Sequence, residues 1–121
     1  MKKILILGAS GAIGKYLVDY FYDRRNDYDI NLITGDIKQS NFVKQRSDFF
    51  HLDVRKKETF EQLPKEIYAV IDLATIMPAR MVGYDPKLYI DTNICGTYNI
   101  LEFCKSNNID RLLFAQTFGD I

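Results

Sequence analysis

The chain has 121 residues, 47% hydrophobic and 26% charged, and its 16 basic and 16 acidic side chains cancel. That length suits one soluble domain with a modest core, and the lack of basic excess argues against a nucleic-acid partner. Between Met1-Lys2-Lys3 and Gly8 stand only Ile4 to Leu7, too few apolar residues for a signal-peptide core or a membrane span, so a cytoplasmic protein with no membrane partner is expected.

Ile4 to Leu7 predicts the first strand. A helix follows from near Gly11, with Ile13, Leu17 and Phe21 spaced as a core-facing stripe. Arg24 to Asp29 is a polar turn and Ile30 to Ile33 a second strand. Residues 36–47 read as a loop with one helical turn, and Phe49 to Leu52 as a third strand. Arg55-Lys56-Lys57 reads as the solvated start of a short helix, Glu58 to Leu63, that stops before Pro64. Tyr68 to Leu73 is the fourth strand. A loop containing Pro78 and Gly83 leads to Pro86, which suits the first turn of a helix running to about Ser106. Leu112 to Ala115 is the fifth strand. Continuously apolar strands alternating with helices define the α/β class: a doubly wound, parallel, Rossmann-like sheet of about five strands.

The long helix carries two apolar stripes. One is Ile90, Ile94, Leu101 and Cys104; the other is Tyr89, Gly96, Ile100 and Phe103. One packs on the sheet. The second meets another helix, from a further part of the protein or a partner subunit, unless the helix is buried deeply in one domain. Cys95 and Cys104 fall in this helix, too far apart to pair at about 1.5 Å per residue, and read as buried or semi-buried free thiols. With one histidine, His51, and no Cys-x-x-Cys, no metal site is expected.

Gly8-Ala9-Ser10-Gly11-Ala12-Ile13-Gly14 is the stretch that points to a ligand. A strand, a glycine turn and a helix in that order make a phosphate-ester site, because the helix start offers free N–H groups and the positive end of its dipole. The spacing is Gly-x-x-Gly-x-x-Gly. Gly14-Lys15 invites comparison with the triphosphate-binding loop, but the required first glycine falls on Ala9 and the required hydroxyl on Tyr16. A dinucleotide remains, beside the plainer reading of a glycine turn that merely packs a helix on a strand. Its adenosine ribose is held by an acid at the end of strand two, and Asp36 lies at the expected distance of about 20 residues from the turn. An acid there favours NAD by repelling a 2′-phosphate. Thr34, with Lys38 nearby, fits NADP instead if it holds that position.

Together these segments resemble the extended short-chain dehydrogenase/reductases, the NAD(P)-dependent epimerase/dehydratase family. Gly8 to Gly14 is similar to its glycine motif. His51-Leu52-Asp53-Val54-Arg55 resembles its Gly-Asp-Leu-Arg-Asp segment, and Ile71-Asp72-Leu73-Ala74-Thr75 its His-Leu-Ala-Ala segment. Asn93-Ile94-Cys95-Gly96-Thr97-Tyr98-Asn99-Ile100-Leu101-Glu102 resembles its Asn-x-x-Gly-Thr-x-Asn-Leu-Leu-Glu helix. The resemblance implies a cofactor groove of Gly8, Ser10, Gly11, Ala12, Ile13, Gly14, Asp36, Asp53, Val54, Leu73, Ala74, Thr75, Thr92 and Asn93. Asp53 would accept the adenine amino hydrogens, with Val54 beside it. Ala74 and Thr75 would let the backbone lie along the nicotinamide side.

The resemblance also implies a tyrosine general acid/base with a lysine four residues on, whose charge favours the phenolate. None of the tyrosines at 16, 20, 22, 28, 68, 84, 89 and 98 has that lysine; Tyr20 with Arg24 is the nearest imitation. Arg111-Leu112-Leu113-Phe114-Ala115-Gln116-Thr117 resembles the family strand that ends at the catalytic Ser/Thr, which places that role on Thr117. Residues 1–121 are thus expected to form the NAD(P)-binding domain, incomplete relative to the family, with the substrate-binding region absent. The expected function is an epimerase or dehydratase acting on a nucleotide sugar through transient hydride transfer. A non-catalytic dinucleotide sensor and a reductase of a small ketone or alcohol are the alternatives. An apolar fifth strand at the sheet edge, or the 86–106 helix, predicts self-association.

Overall fold

The structure is a computed structural model and describes residues 1–77, 83 and 85–115. Five parallel strands form one sheet: β1 (Lys2–Leu7), β2 (Ile30–Asp36), β3 (Asp48–His51), β4 (Ile67–Asp72) and β5 (Leu112–Phe114), in the order β3-β2-β1-β4-β5. The chain moves outward from β1 to β3 on one side, then returns to place β4 on the other flank of β1. Beyond the carboxyl ends of β1 and β4 this reversal opens a crevice, the place where such sheets take ligands.

The central strands each carry consecutive apolar residues because successive residues face opposite sides and both sides are covered. Leu5, Leu7, Ile33 and Val70 join one core with Phe60, Ile100 and Cys104. Ile4, Ile6, Leu32 and Ala69 join the other with Val18 and Val43. The first core is roofed by a 3-10 helix, Lys57–Gln62, and by the long helix; the second by α1 (Ala12–Asp23) and α3 (Asn41–Lys44). The expected sheet, strand sequence and loop helix are all present.

Several local expectations are corrected. On α1 the residues that pack are Gly14, Leu17, Val18 and Phe21, whereas Ile13, in the first turn, is 63% exposed. The polar Arg24–Asp29 stretch contains a short helix, α2 (Arg25–Tyr28), closed by Asp29 in the left-handed region at φ 51°. The long helix is composite: α4 (Pro86–Tyr89), a π-helical turn (Ile90–Cys95) and α5 (Gly96–Ser106). Asp85 caps its start, its carboxylate accepting from the N–H groups of Lys87 and Leu88.

Gly96, Ile100, Phe103 and Cys104 face the core, so Cys104 changes stripes. Ile90, Ile94, Tyr98 and Leu101 remain exposed. Cys104 is buried and Cys95 exposed, both as free thiols. Among the described residues no helix is long and apolar enough to cross a membrane.

Candidate functional site

The crevice holds a cleft of about 480 Å³ whose lining includes Gly8, Ser10, Gly11, Asp36, Asp53, Val54, Leu73, Ala74, Thr75 and Thr92. Ten residues assigned from sequence to a cofactor groove therefore converge on one cavity, although they come from the exits of four strands and from the long helix. Ile37, Lys38, Arg55, Ile76 and Leu88 also line it. Sequence reasoning missed these as groove residues because nothing in their spacing marks them.

The turn after β1 explains two of its three glycines by the fold alone. Gly8 adopts φ +78°, and a Cβ there would lie 2.6 Å from the Leu73 carbonyl carbon. A Cβ on Gly14 would lie 2.5 Å from the carbonyl oxygens of Gly8 and Ala9, so only glycine lets α1 start so close to β1. At Gly11 a Cβ would meet only the Gly8 oxygen, at 3.6 Å, and φ −77°, ψ 176° is open to any residue. The fold does not require glycine at this position. Ala12 and Ile13 are exposed in the adjoining first turn, whose N–H groups lack helical acceptors.

Asp36 is the last residue of β2. Its Oδ2 accepts the Ser10 N–H at 2.9 Å and its Oδ1 the Lys38 N–H at 2.9 Å, while the Ser10 hydroxyl donates to the Lys38 carbonyl at 2.8 Å. The acid thus ties the glycine turn to the β2 exit and keeps acceptor capacity for a ligand hydroxyl. Thr34 is fully buried, bonded to the Ser47 hydroxyl at 2.8 Å, and does not reach the cleft. Of the two positions, Asp36 lines the cleft and Thr34 does not.

Asp53 is 7% exposed beyond β3. Arg55 donates to its carboxylate through Nε at 2.9 and 3.2 Å and through NH2 at 2.7 Å. Those hydrogen bonds hold the Asp53 carboxyl below the ordinary carboxylate range, against the opposing effect of burial. Arg55 is exposed, as expected of the basic run, and is also paired with Asp53.

On the opposite rim, Asp72 ends β4, 1% exposed, and burial pushes its carboxyl up despite the Ala74 N–H that donates to it at 2.9 Å. The Thr75 N–H turns back to the Leu73 carbonyl at 2.9 Å. Asn93 does not present its amide to the cleft. Its Nδ2 donates to the Ile76 carbonyl at 2.8 Å, and its Oδ1 accepts the Ile76 N–H at 2.9 Å. Thr117 lies outside the described residues, as do Gln116 and Pro78.

This fold and cleft define a nucleotide-binding α/β protein. The sequence profile of the NAD dependent epimerase/dehydratase family matches residues 4–120, and the chain belongs to that family. Its relatives include a putative UDP-glucose 4-epimerase of Methanocaldococcus jannaschii, 32% identical over 98% of this chain and 39% of the relative. Another is the decarboxylating sterol-4-alpha-carboxylate 3-dehydrogenase of Saccharomyces cerevisiae, 27% identical over 98% of this chain and 35% of the relative. Among solved structures, the Thermus thermophilus UDP-glucose 4-epimerase in complex with NAD superposes with a TM-score of 0.79 at 25% identity, covering 95% of this chain and 37% of that one. The chain spans well under half the length of these relatives. NAD is the cofactor of the family, and the cleft fits it in one respect: a glycine turn, open at Gly11, stands at the start of a 12-residue helix.

Proposed function

We propose that residues 1–121 form the dinucleotide-binding domain of an NAD-dependent epimerase or dehydratase acting on a nucleotide sugar. NAD, when bound, supplies a reversible hydride acceptor. Everything else falls to the protein. Gly11 and the first turn of α1, from Ala12 through Gly14, take the pyrophosphate. Ser10 and Asp36 face the adenosine ribose, Asp53 and Val54 the adenine, and Leu73 to Thr75 with Thr92 the nicotinamide half. Thr117 is assigned to the substrate oxygen by resemblance. NAD is preferred over NADP because the Asp36 carboxylate repels a 2′-phosphate.

The observation that carries this reading is Gly11. Its neighbours Gly8 and Gly14 are demanded by packing; Gly11 is not, and it stands open at a helix start within the cleft. A Gly11→Val chain is therefore expected to fold as the parent does and to lose NAD affinity by more than about tenfold, since filled space beside a phosphate removes several charge-assisted hydrogen bonds. Calorimetry with NAD and a melting curve on the same preparations check this; unaltered affinity in the variant would refute the pyrophosphate assignment. Oxidation or reduction of a sterol-like or other small alcohol is a second reading, favoured by the sterol dehydrogenase among the relatives.

Self-association belongs to the same proposal. Exposed Ile90, Ile94, Tyr98 and Leu101 on the long helix, and Leu113 and Phe114 on edge strand β5, are apolar surfaces that a second copy would cover. Light scattering at high concentration is expected to report more than one chain per particle, and a strict monomer counts against it. The protein is placed in the cytoplasm.

A further inference from the structure

The long helix touches the backbone of both ends of the cleft, and each touch is made by an asparagine amide. Asn93, inside the π-helical turn, pairs with both main-chain polar groups of Ile76 as a neighbouring strand would. Asn99, in α5, donates through Nδ2 to the Val54 carbonyl at 2.8 Å. We infer that the helix is a crossbar that sets the two ends of the groove separately. Asn93 positions the nicotinamide end and Asn99 the adenine end, and neither touches the cofactor. The inference rests on the dinucleotide reading of the cleft.

The π turn is what aims Asn93. A regular helix bonds each N–H to the carbonyl four residues back, whereas the Gly96 N–H reaches the Asp91 carbonyl, one residue further. The extra residue shifts the side chains before it around the helix axis relative to those after it. The Thr97 hydroxyl donates to the Asn93 carbonyl at 2.7 Å and so occupies an acceptor within the altered turn. On the other side of the turn, Gly96 lies against Val54, where a Cβ would come within 2.7 Å of Cγ2. Val54 is thus gripped by backbone contact at Gly96 and by hydrogen bond at Asn99, and the phase change brings Asn93 to Ile76.

Ile76 needs that hold. It follows a stretch in which Ala74 is fixed by Asp72 and Thr75 by a three-residue turn to Leu73, and it precedes residues 78–82. Both of its main-chain polar groups are given to Asn93. Releasing them frees the backbone along which the nicotinamide half would lie, while the pyrophosphate turn and the Asp53 loop keep their own bonds.

The test compares two ligands on the full chain. NAD spans the whole groove; ADP-ribose carries the adenine, pyrophosphate and both riboses without nicotinamide. Asn93→Leu is expected to weaken NAD by about tenfold, the order of two lost ordering hydrogen bonds, and to leave ADP-ribose within about twofold. Asn99→Leu is expected to weaken both ligands by the same factor. Equal losses for both ligands in Asn93→Leu, or no loss for either, overturn the inference. So does an Asn99→Leu chain that loses NAD alone.

Where Asn93→Leu fails to fold, Asn93→Asp keeps the acceptor, removes the donor and carries the same comparison. Amide exchange adds a readout without ligand: the Ile76 N–H should lose protection in Asn93→Leu, and retained protection overturns the clamp. A parent chain that binds neither ligand defeats the dinucleotide reading itself. One that binds ADP-ribose as tightly as NAD spares that reading and defeats the assignment of the nicotinamide end.

Discussion

The two rims of the cleft are built in different ways. The rim at the β1 and β2 exits is held by its own loops: the Gly8 N–H donates to the Gly35 carbonyl, the Ser10 N–H to Asp36, and Gly14 admits the helix start against two carbonyl oxygens. The rim at the β4 exit has short-range bonds as far as Thr75, and beyond that Ile76 is held by Asn93, from a helix outside the sheet. A rim knit by bonds between two adjacent strand exits is fixed by the sheet itself. A rim that leans on another element moves with that element. The first suits a phosphate group of fixed shape, and the second suits the end of a cofactor where a substrate must also be admitted.

The largest expected effect breaks the first rim outright. Gly14→Val places a branched side chain where even a Cβ lies 2.5 Å from two backbone oxygens, and neither oxygen can withdraw without separating α1 from β1. A loss of roughly 3 kcal/mol or more is expected, enough to lower Tm by more than about 10 °C in a domain of this size. Gly11→Val is the internal control, since a Cβ there makes only an ordinary contact, 3.6 Å from the Gly8 oxygen. Equal melting temperatures for the two variants would erase the distinction between packing glycine and ligand glycine.

That same contrast explains what could be read from the sequence. Strands β1 to β5 were legible because each contains a short apolar run between polar turns; in β1, β2 and β4 that run is buried, whereas β3 and β5 are partly exposed at the sheet edges. The glycine turn was legible because backbone sterics impose a fixed spacing. Asp36 was legible by distance, but only the hydrogen bonds of Thr34 to Ser47 separated the two candidates. Ile13 was misread because a helical stripe says which residues share a face, not where the sheet beneath the helix ends. Asn93 was found as a motif residue, but its bonds to Ile76 were not. Its direction depends on a π turn, and one inserted residue in a hydrogen-bond ladder leaves no mark in composition or hydropathy. Arg55 read as part of a basic run because the run says nothing of the carboxylate two residues before it that accepts its guanidinium.

A smaller effect sharpens the electrostatics of the adenine side. Arg55 holds Asp53 in its charged form, so the folded-state pKa of Asp53 lies below its unfolded value. Such a group contributes stability above the ordinary carboxylate range, near about 4, and that stability is lost as pH falls through the folded value. Arg55→Gln is expected to cost about 1 kcal/mol at pH 7, the upper end for a pair whose arginine is partly solvated. In urea titrations the gap between parent and variant should close in acid. A gap that persists at low pH would mean that the arginine acts through packing and not through charge.

Asp72, on the β4 rim, should show the opposite sign and the smallest change. Burial pushes its carboxyl up, so the folded chain holds this proton more tightly than the unfolded chain does. Stability therefore falls as pH rises from the ordinary carboxylate range through the folded value, and at pH 7 the fold carries a buried charge it would be better without. Asp72→Asn keeps an oxygen for the Ala74 N–H and removes the charge. At pH 7 the variant is expected to exceed the parent by about 0.5 kcal/mol, and the advantage should vanish in acid, where both side chains are neutral. The nearby Cys104 thiol supplies a second reading of the same charge, because burial first and Asp72 second raise its pKa. In Asp72→Asn that thiol should titrate lower, seen as faster alkylation during local opening at mildly alkaline pH. A variant no more stable than the parent at pH 7, with an unchanged thiol, would show that the β4 exit solvates its carboxylate as well as the β2 exit does, and the difference between the two rims would then be one of connectivity alone.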